Sequence, residues 1–430
     1  MKKKLLLSLI SIFIAFAAFE AVLRLMVVPS VKSSGSLFGR ELPPMKILRA
    51  DQILSSEEEA ELRDRWFDPL IVNGEKITYS DLFGIMRDDE LLGYTIKENS
   101  RSTNGWRQAN NLGARSDKFT PPGKAAQIER ILFFGDSYTF GDRVPENETF
   151  VFYLNEKNKN FEALNFGVSG YSVGQAYLRF TTLKDEIEFD RVFLVFVPES
   201  DIWREVNVSR YIGDGWEFYG LKIMPRFVIE NGELKLIKSP YKSLKEQLDD
   251  NSDTIKPRLR DHLRKYDFFY KECMYESNSV LDKLITYKLL KLNLFNNCIK
   301  TDKSHVMKKD SEAVEIIKRV IDTMAQEVES KGAEFTLVIL PKHDEIKEYA
   351  ENPTYKKTWD DISSFLCSGE ISCLDLMKDF QRARDEVLDT GYDDTHYGPK
   401  ANGLIADFIL DNAIIMPSIA DAPVETPTDN

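Results

Sequence analysis

Four apolar residues, Ile131-Leu132-Phe133-Phe134, run without a polar break into Gly135-Asp136-Ser137. A short unbroken run of this kind marks a strand buried on both faces. Gly135, lacking Cβ, permits the turn that ends it. Similar runs recur, and strands are predicted over 130–135, 163–167, 191–197, 334–340 and 371–376. Between them the apolar positions change to helical spacing, predicting helices over 147–159, 173–186, 312–330, 355–365 and 399–414. The helix from Glu312 is the clearest: Val314, Ile317, Ile321, Met324 and Val328 form one stripe, and Gly332 suits a carboxyl cap. Strand–helix alternation predicts an α/β fold, a three-layer α/β/α sandwich around a short parallel sheet of about five strands.

The amino terminus departs from this pattern. Lys2, Lys3 and Lys4 precede an apolar run from Leu5 to Phe19, which resumes after Glu20 and Arg24 through Val28. The stretch is close to the roughly 20 residues that cross a bilayer. Glu20 and Arg24, spaced i,i+4, can pair on a helix, and Arg24 can reach the interface. Residues 1–28 read as a single-pass signal anchor in the cytoplasmic (inner) membrane, lysines inside and the remaining chain exported. The alternative is a cleaved signal with Ala15-Phe16-Ala17 as its processing site and a secreted product.

The rest divides by pattern. Residues 29–128 form an extracytoplasmic lead-in, with a charged helix expected over 55–66 and a turn at Pro121-Pro122-Gly123. The sandwich comes in two parts, 129–200 and 311–415, separated by an insertion at 201–310. The insertion carries a hairpin, 226–230 against 233–237, because Asn231-Gly232 is a two-residue turn signal. Leaving a strand's carboxyl end, it can overhang a site or serve as a packing appendage. The tail 416–430, proline-rich and acidic, is expected to be disordered.

Composition narrows the choices. With 57 basic and 70 acidic residues the formal charge is −13, which disfavours nucleic acid as a partner. No zinc-type cluster, Walker loop or internal repeat occurs, so neither metal nor cofactor is expected. The four cysteines, Cys273, Cys298, Cys367 and Cys373, suit an oxidising compartment and permit three pairings. Nearest-neighbour pairing is expected; four buried free thiols are the alternative.

Ser137 falls just past the carboxyl end of a parallel strand, where open α/β sheets place their ligands. A serine hydroxyl needs a base before it can act as a nucleophile. Of four histidines, His262 and His305 lie in the charged insertion and read as surface residues, while His343 follows a strand at a rim position. His396 has Asp393 three residues before it, a spacing that lets a carboxylate hold the far imidazole nitrogen. Asp394 is an alternative, and both acids also suit ordinary turn and cap roles.

Three blocks stand in order: Gly135-Asp136-Ser137, then Asn165-Phe166-Gly167-Val168-Ser169-Gly170, then Pro198-Glu199-Ser200-Asp201, with Asp393-Asp394-Thr395-His396 opening the last helix. Over roughly residues 86–240 and 311–415 the chain resembles the GDSL esterases, or SGNH hydrolases, of the membrane-tethered bacterial type. The resemblance implies a Ser137–His396–Asp393 triad, the family spacing selecting Asp393 over Asp394. It implies oxyanion donors from the backbone N–H groups of Ser137 and Gly170, with Gly167 as rival, plus a side chain from the third block. The family has Gly-x-Asn-Asp there. Here Ser200 takes the asparagine's place, with a shorter, rotating donor, and Glu199 would be unfavourable beside an oxyanion. The activity implied is that of a serine esterase that hydrolyses or transfers an acyl group, O-acetyl above all, on an extracytoplasmic carbohydrate or another small ester. A second class of reading keeps the fold without the catalysis: a weak or inactive SGNH protein that binds glycan or assists envelope polysaccharide assembly.

Overall fold

Leu132 and Phe134 turn to one side of their strand, Ile131 and Phe133 to the other, and all four are fully buried. A computed structural model describes residues 2–29, 33–44, 70–72, 75–77, 84–102, 104–212, 215–216, 223–250, 256–272, 280–294, 303–383 and 396–413. The helix expected over 55–66, Cys273, Cys298, Asp393, Asp394 and the tail 416–430 lie outside the described residues.

Five strands, β1 (Glu129–Phe134), β2 (Phe161–Asn165), β3 (Arg191–Phe196), β4 (Glu334–Ile339) and β5 (Ser372–Asp375), form one parallel sheet in the order β2-β1-β3-β4-β5. The strand order reverses at β1, so a crevice opens beyond the carboxyl ends of β1 and β3. Ser137 stands at that point. The helices around the sheet and the site are, in chain order, α1 (Lys2–Met26), α2 (Ser137–Phe140), α3 (Phe150–Lys157), α4 (Val173–Leu183), α5 (Pro198–Glu205), α6 (Ile285–Leu294), α7 (Glu312–Ser330), α8 (His343–Glu351), α9 (Pro353–Leu366) and α10 (Pro399–Ala413).

Strand alternation produces the three layers. Leu132, Phe134, Leu194 and Leu337 meet Phe180 of α4, Ile317 and Ile321 of α7 and Ile362 of α9 on one face. On the other, Ile131, Phe133, Phe193 and Val338 meet Phe150 and Leu154 of α3 and Ile405 and Ile409 of α10. Phe133 sits between Phe193, stacked at 4.8 Å, and Phe150, edge-on at 5.6 Å. Truncating such a residue to alanine costs about 3–5 kcal/mol through lost transfer energy and the cavity left behind.

The strands and helices predicted for the sandwich are present with ends displaced by up to three residues: Phe150–Lys157 and Val173–Leu183 are shorter than expected, and Pro353–Leu366 is longer at both ends. α7 keeps its expected bounds, and Ser311 caps it by accepting from the Val314 N–H. α8 departs from expectation. It follows β4 directly, where the pattern suggested only a strand end before His343, because Ile346 and Tyr349 are its only buried apolar residues. The hairpin pairs Arg226–Glu230 with Glu233–Ile237. Asn231 and Gly232 both have positive φ, as a type I′ turn requires. It packs on the flank of the sandwich: Phe227 meets Tyr177 of α4, and Arg319 of α7 donates to the Gly232 carbonyl at 2.7 Å. Cys367 and Cys373 are bonded, their Cα atoms 5.5 Å apart, tying the end of α9 to β5 as nearest-neighbour pairing predicts.

The lead-in is part of the same body. Met86–Asp89 pairs with Gly93–Ile96. The Tyr94 hydroxyl donates to the Ser169 carbonyl at 2.7 Å, and the Tyr171 hydroxyl donates back to the Tyr94 carbonyl at 2.6 Å. A third apolar cluster joins Leu23 of α1, Leu37 and Leu42 of the lead-in, and Leu259, Leu263 and Ile285 of the insertion.

Candidate active site

The turn after β1 is built by its own side chains. Asp136 caps α2, its Oδ1 accepting from the Tyr138 N–H at 2.8 Å, and this presents Ser137 at the first helical position. The other Asp136 oxygen lies 3.1 Å from an Arg204 guanidinium nitrogen, which also approaches Asp201 at 3.5 Å. Asp201 in turn accepts from the Val197 N–H at 2.8 Å. Burial, then the neighbouring Asp136 charge, pushes the Asp201 carboxyl well above its ordinary value. One guanidinium thus serves two buried carboxyls beneath the Gly135-Asp136-Ser137 turn. Behind the turn, Arg115 is a carbonyl clamp, donating to Gly141 and Val144 at 2.6 Å each and to Phe140.

The loop before α10 approaches the same edge. The Tyr397 hydroxyl donates to the Pro341 carbonyl at the exit of β4. Asn402 Nδ2 donates to the carbonyls of Tyr397 and Gly398 at 3.1 and 3.0 Å. Held this way, His396 places Nε2 2.9 Å from Ser137 Oγ, although 259 residues separate them in sequence. The ring of Tyr138 stacks on His396 at 4.6 Å. His343 packs on Tyr397 at 4.7 Å, a place in the wall behind the histidine. His262, expected at the surface, is half-buried on its helix, and burial followed by the Arg226 charge lowers it to about 4. Asp393 and Asp394 lie outside the described residues.

The second block comes against α2. A Cβ on Gly167 would stand 2.4 Å from the Phe140 nitrogen, so only glycine allows the two backbones this approach. Gly167 gives its N–H to Asn165 Oδ1 at 3.0 Å, and Asn165 Nδ2 donates to the Thr139 carbonyl at 2.8 Å. The turn Val168–Tyr171 closes through the Tyr171 N–H to the Val168 carbonyl at 3.2 Å, with Gly170 at φ +78°. Among the described residues no hydrogen bond uses the N–H of Ser137 or of Gly170. Ser169 Oγ donates to Asp142 Oδ1 at 2.7 Å, and Arg107 pairs with the same oxygen at 2.6 Å. Burial alone would raise the Asp142 carboxyl; the charges of Arg107 and His396 outweigh it and hold the group below its ordinary value.

Ser200 lies in the first turn of α5, buried, its N–H donating to the Val197 carbonyl at 3.0 Å. Its hydroxyl takes no partner among the described residues. Glu199 is spanned between two lysines: Lys303 Nζ lies 2.8 Å from one carboxylate oxygen, and Lys342 pairs with the other. Burial pushes this carboxyl up, but Lys342 and Lys303 prevail and keep it below its ordinary value. The charge that would oppose an oxyanion is therefore compensated by its own cations.

Solved structures similar to the chain include GDSL lipolytic proteins and acetyl xylan esterases. A G-D-S-L lipolytic protein from Veillonella parvula aligns at 10% identity over 67% of this chain and 100% of its own, with a TM-score of 0.34. The acetyl xylan esterase AlAXEase aligns at 14% identity over 66% and 100%, TM-score 0.33. A catalytic mutant of an acetylxylan esterase from Geobacillus stearothermophilus aligns at 11% over 67% and 95%, TM-score 0.33. No family model and no curated protein matches the chain. At this degree of likeness the assignment of roles rests on the chain's own residues.

Sequence reasoning missed the supporting residues: Tyr138 against the imidazole, the Arg107–Asp142–Ser169 link between the two loops, and Tyr94 beneath the second. Asp142 lies five residues after Ser137 of the Gly-Asp-Ser turn, and that nearness was the available signal.

Proposed function

We propose that the protein is a serine esterase of the SGNH type, transferring an acyl group from an ester to water or to an acceptor hydroxyl. The observation that carries this is Ser137 Oγ at 2.9 Å from His396 Nε2, at the point where the strand order reverses. His396 takes the Ser137 proton as Oγ attacks the ester carbonyl, and returns it to the departing alcohol. Asp393 is assigned the orientation of the imidazole. The N–H groups of Ser137 and Gly170 receive the oxyanion; the Gly167 N–H, already given to Asn165 Oδ1, supports Gly170 over Gly167. The acyl-enzyme is then opened by water or a sugar hydroxyl through the same base. An O-acetylated carbohydrate outside the cytoplasmic membrane is the substrate class. That assignment rests on the family resemblance and on α1, whose stretch Lys3–Met26 is by length and overall hydropathy enough to cross a membrane. α1 is read as a retained anchor with its lysines inside.

A second reading, a glycan-binding protein without catalysis, draws on Ser200 in the asparagine position. A fluorophosphonate probe separates the two. The esterase reading expects labelling that Ser137→Ala and His396→Ala each abolish, together with turnover of an activated acetyl ester. A folded parent protein with neither labelling nor turnover would transfer the lead to the binding reading.

A further inference from the structure

α1 is exposed along nearly its whole length; only Glu20 and Leu23 are buried within it. Both are covered by the insertion and the lead-in. Glu20 accepts from the N–H groups of Ile285 and Thr286 at 2.8 and 3.0 Å and from the Thr286 hydroxyl at 2.7 Å. Arg24 pairs with Glu20 at 3.0 Å and donates to the Lys283 carbonyl at 2.6 Å. One side chain of the anchor helix therefore caps the amino end of α6, satisfying N–H groups that a helix start leaves unbonded.

The depth of this contact follows from helix geometry. Counted from Leu5, a hydrocarbon layer about 30 Å thick takes about 20 residues at about 1.5 Å each, reaching the neighbourhood of Arg24. Glu20 falls about one turn short of that outer boundary. A carboxylate there is costly unless fully bonded, and Glu20 is. Its partners must share its depth. From Ile285, α6 runs outward beside α1, since Lys288 reaches Ser34 at 2.6 Å and Leu289 packs against the cluster that holds Val27. The 3₁₀ turn Val280–Lys283, which precedes α6, adjoins α1 through the Arg24 bond to the Lys283 carbonyl. Its Val280 and Leu281 are adjacent aliphatic side chains, 80% and 50% exposed.

We propose that this turn is a second membrane contact, with Val280 and Leu281 entering the outer leaflet of the bilayer that α1 crosses and the exposed Lys283 meeting lipid phosphates. The inference rests on the reading of α1 as a retained anchor. The occupant is lipid because the turn is bonded, through Arg24, to the outer end of the helix read as the anchor, which holds it at the bilayer boundary. Apolar groups flanked by a lysine suit the boundary between acyl chains and anionic headgroups. The insertion then holds the hydrolase at a set height and tilt, since two separate points fix it to the plane.

The test uses the full-length protein in its native membrane, with the photoreactive residue p-benzoylphenylalanine placed singly at Val280, Leu281, Phe13 or Glu233. Phe13 reports the anchor, and Glu233 the exposed hairpin away from it. Irradiation is expected to give phospholipid-mass adducts at 280, 281 and 13 and none at 233. Adducts at 13 with none at 280 and 281 would overturn the second contact alone. Absence at 13 as well would overturn both it and the anchor reading beneath it. Adducts at 233 equal to those at 280 would also defeat it, since lipid contact would then be unspecific.

Discussion

The ring of Tyr138 lies against that of His396, centroids 4.6 Å apart and planes inclined by 29°. Tyr138 follows Ser137 directly, so one turn carries both the proposed nucleophile and the surface on which the proposed base rests. Tyr138→Ala should lower kcat about 10- to 100-fold with little change in KM, because a misplaced imidazole is costly even when binding is intact. Tyr138→Phe keeps the ring and should retain most activity. Steady-state kinetics on an activated acetyl ester, with unfolding curves as a folding control, decides this. Equal loss in both variants would assign the effect to the hydroxyl instead.

Arg107 and Asp142 form a pair with each side chain 2% exposed. Asp142→Ala strands a buried guanidinium and should cost about 3–5 kcal/mol. Arg107→Met combined with Asp142→Leu should cost less than the single change, since the pair leaves together. Urea unfolding measures both. The depressed Asp142 pKa adds a sign: its stabilisation is present above its unfolded pKa and is lost as pH falls through the lower folded value.

Ser200 should be a modest contributor. Removing a well-placed oxyanion donor costs about 100- to 1000-fold in turnover, but a rotating hydroxyl is poorly preorganised, and Ser200→Ala should cost about tenfold. Ser200→Asn should raise turnover if the pocket accepts the larger amide. A Ser200→Ala variant that is folded yet as inactive as Ser137→Ala would defeat this account.

Glu345 supplies a pH signature. Its carboxyl accepts from the Tyr355 hydroxyl at 2.6 Å and the Lys342 N–H at 2.9 Å, and burial raises it to about 7. Between its ordinary value of about 4.3 and this one, the folded protein holds a proton that the unfolded chain has released. Stability from this group therefore falls as pH rises through that window and levels off above it. At about 1.4 kcal/mol per pH unit the whole change is about 4 kcal/mol. Glu345→Gln should flatten that part of the stability–pH profile, read as urea midpoints from pH 4.5 to 8.

Much of the architecture was legible because it is locally encoded. The Asn231-Gly232 turn sets its own hairpin register, and the α7 stripe needs no distant partner. The strand and turn at Gly135-Asp136-Ser137 were legible because four apolar residues and a Gly-Asp-Ser turn leave few structures open. The supporting shell was not. Ser169, part of the second block, meets Asp142 across 27 residues and Tyr94 across 75, and nothing in the local pattern announces either partner. Spacing also left Gly167 and Gly170 as rivals; Gly167 turns out to spend its N–H on Asn165. α8 was missed because its cap is unusual. The Lys342 N–H is taken by Glu345, with no serine, threonine, aspartate or asparagine to announce the start.

The reciprocal bonds between Tyr94 and the Ser169–Tyr171 turn bear on where this protein can be cut. The turn signal at Pro121-Pro122-Gly123 looks like a natural place to begin a shortened form, with the whole sheet still to come. Such a form would lack Tyr94 and Arg107, leaving the Ser169 carbonyl and the Asp142 carboxylate without those partners in a buried place. The smallest autonomous unit has to start before Met86, so the forty-odd residues just ahead of the sheet belong to the foundation of the site and cannot be treated as a spacer.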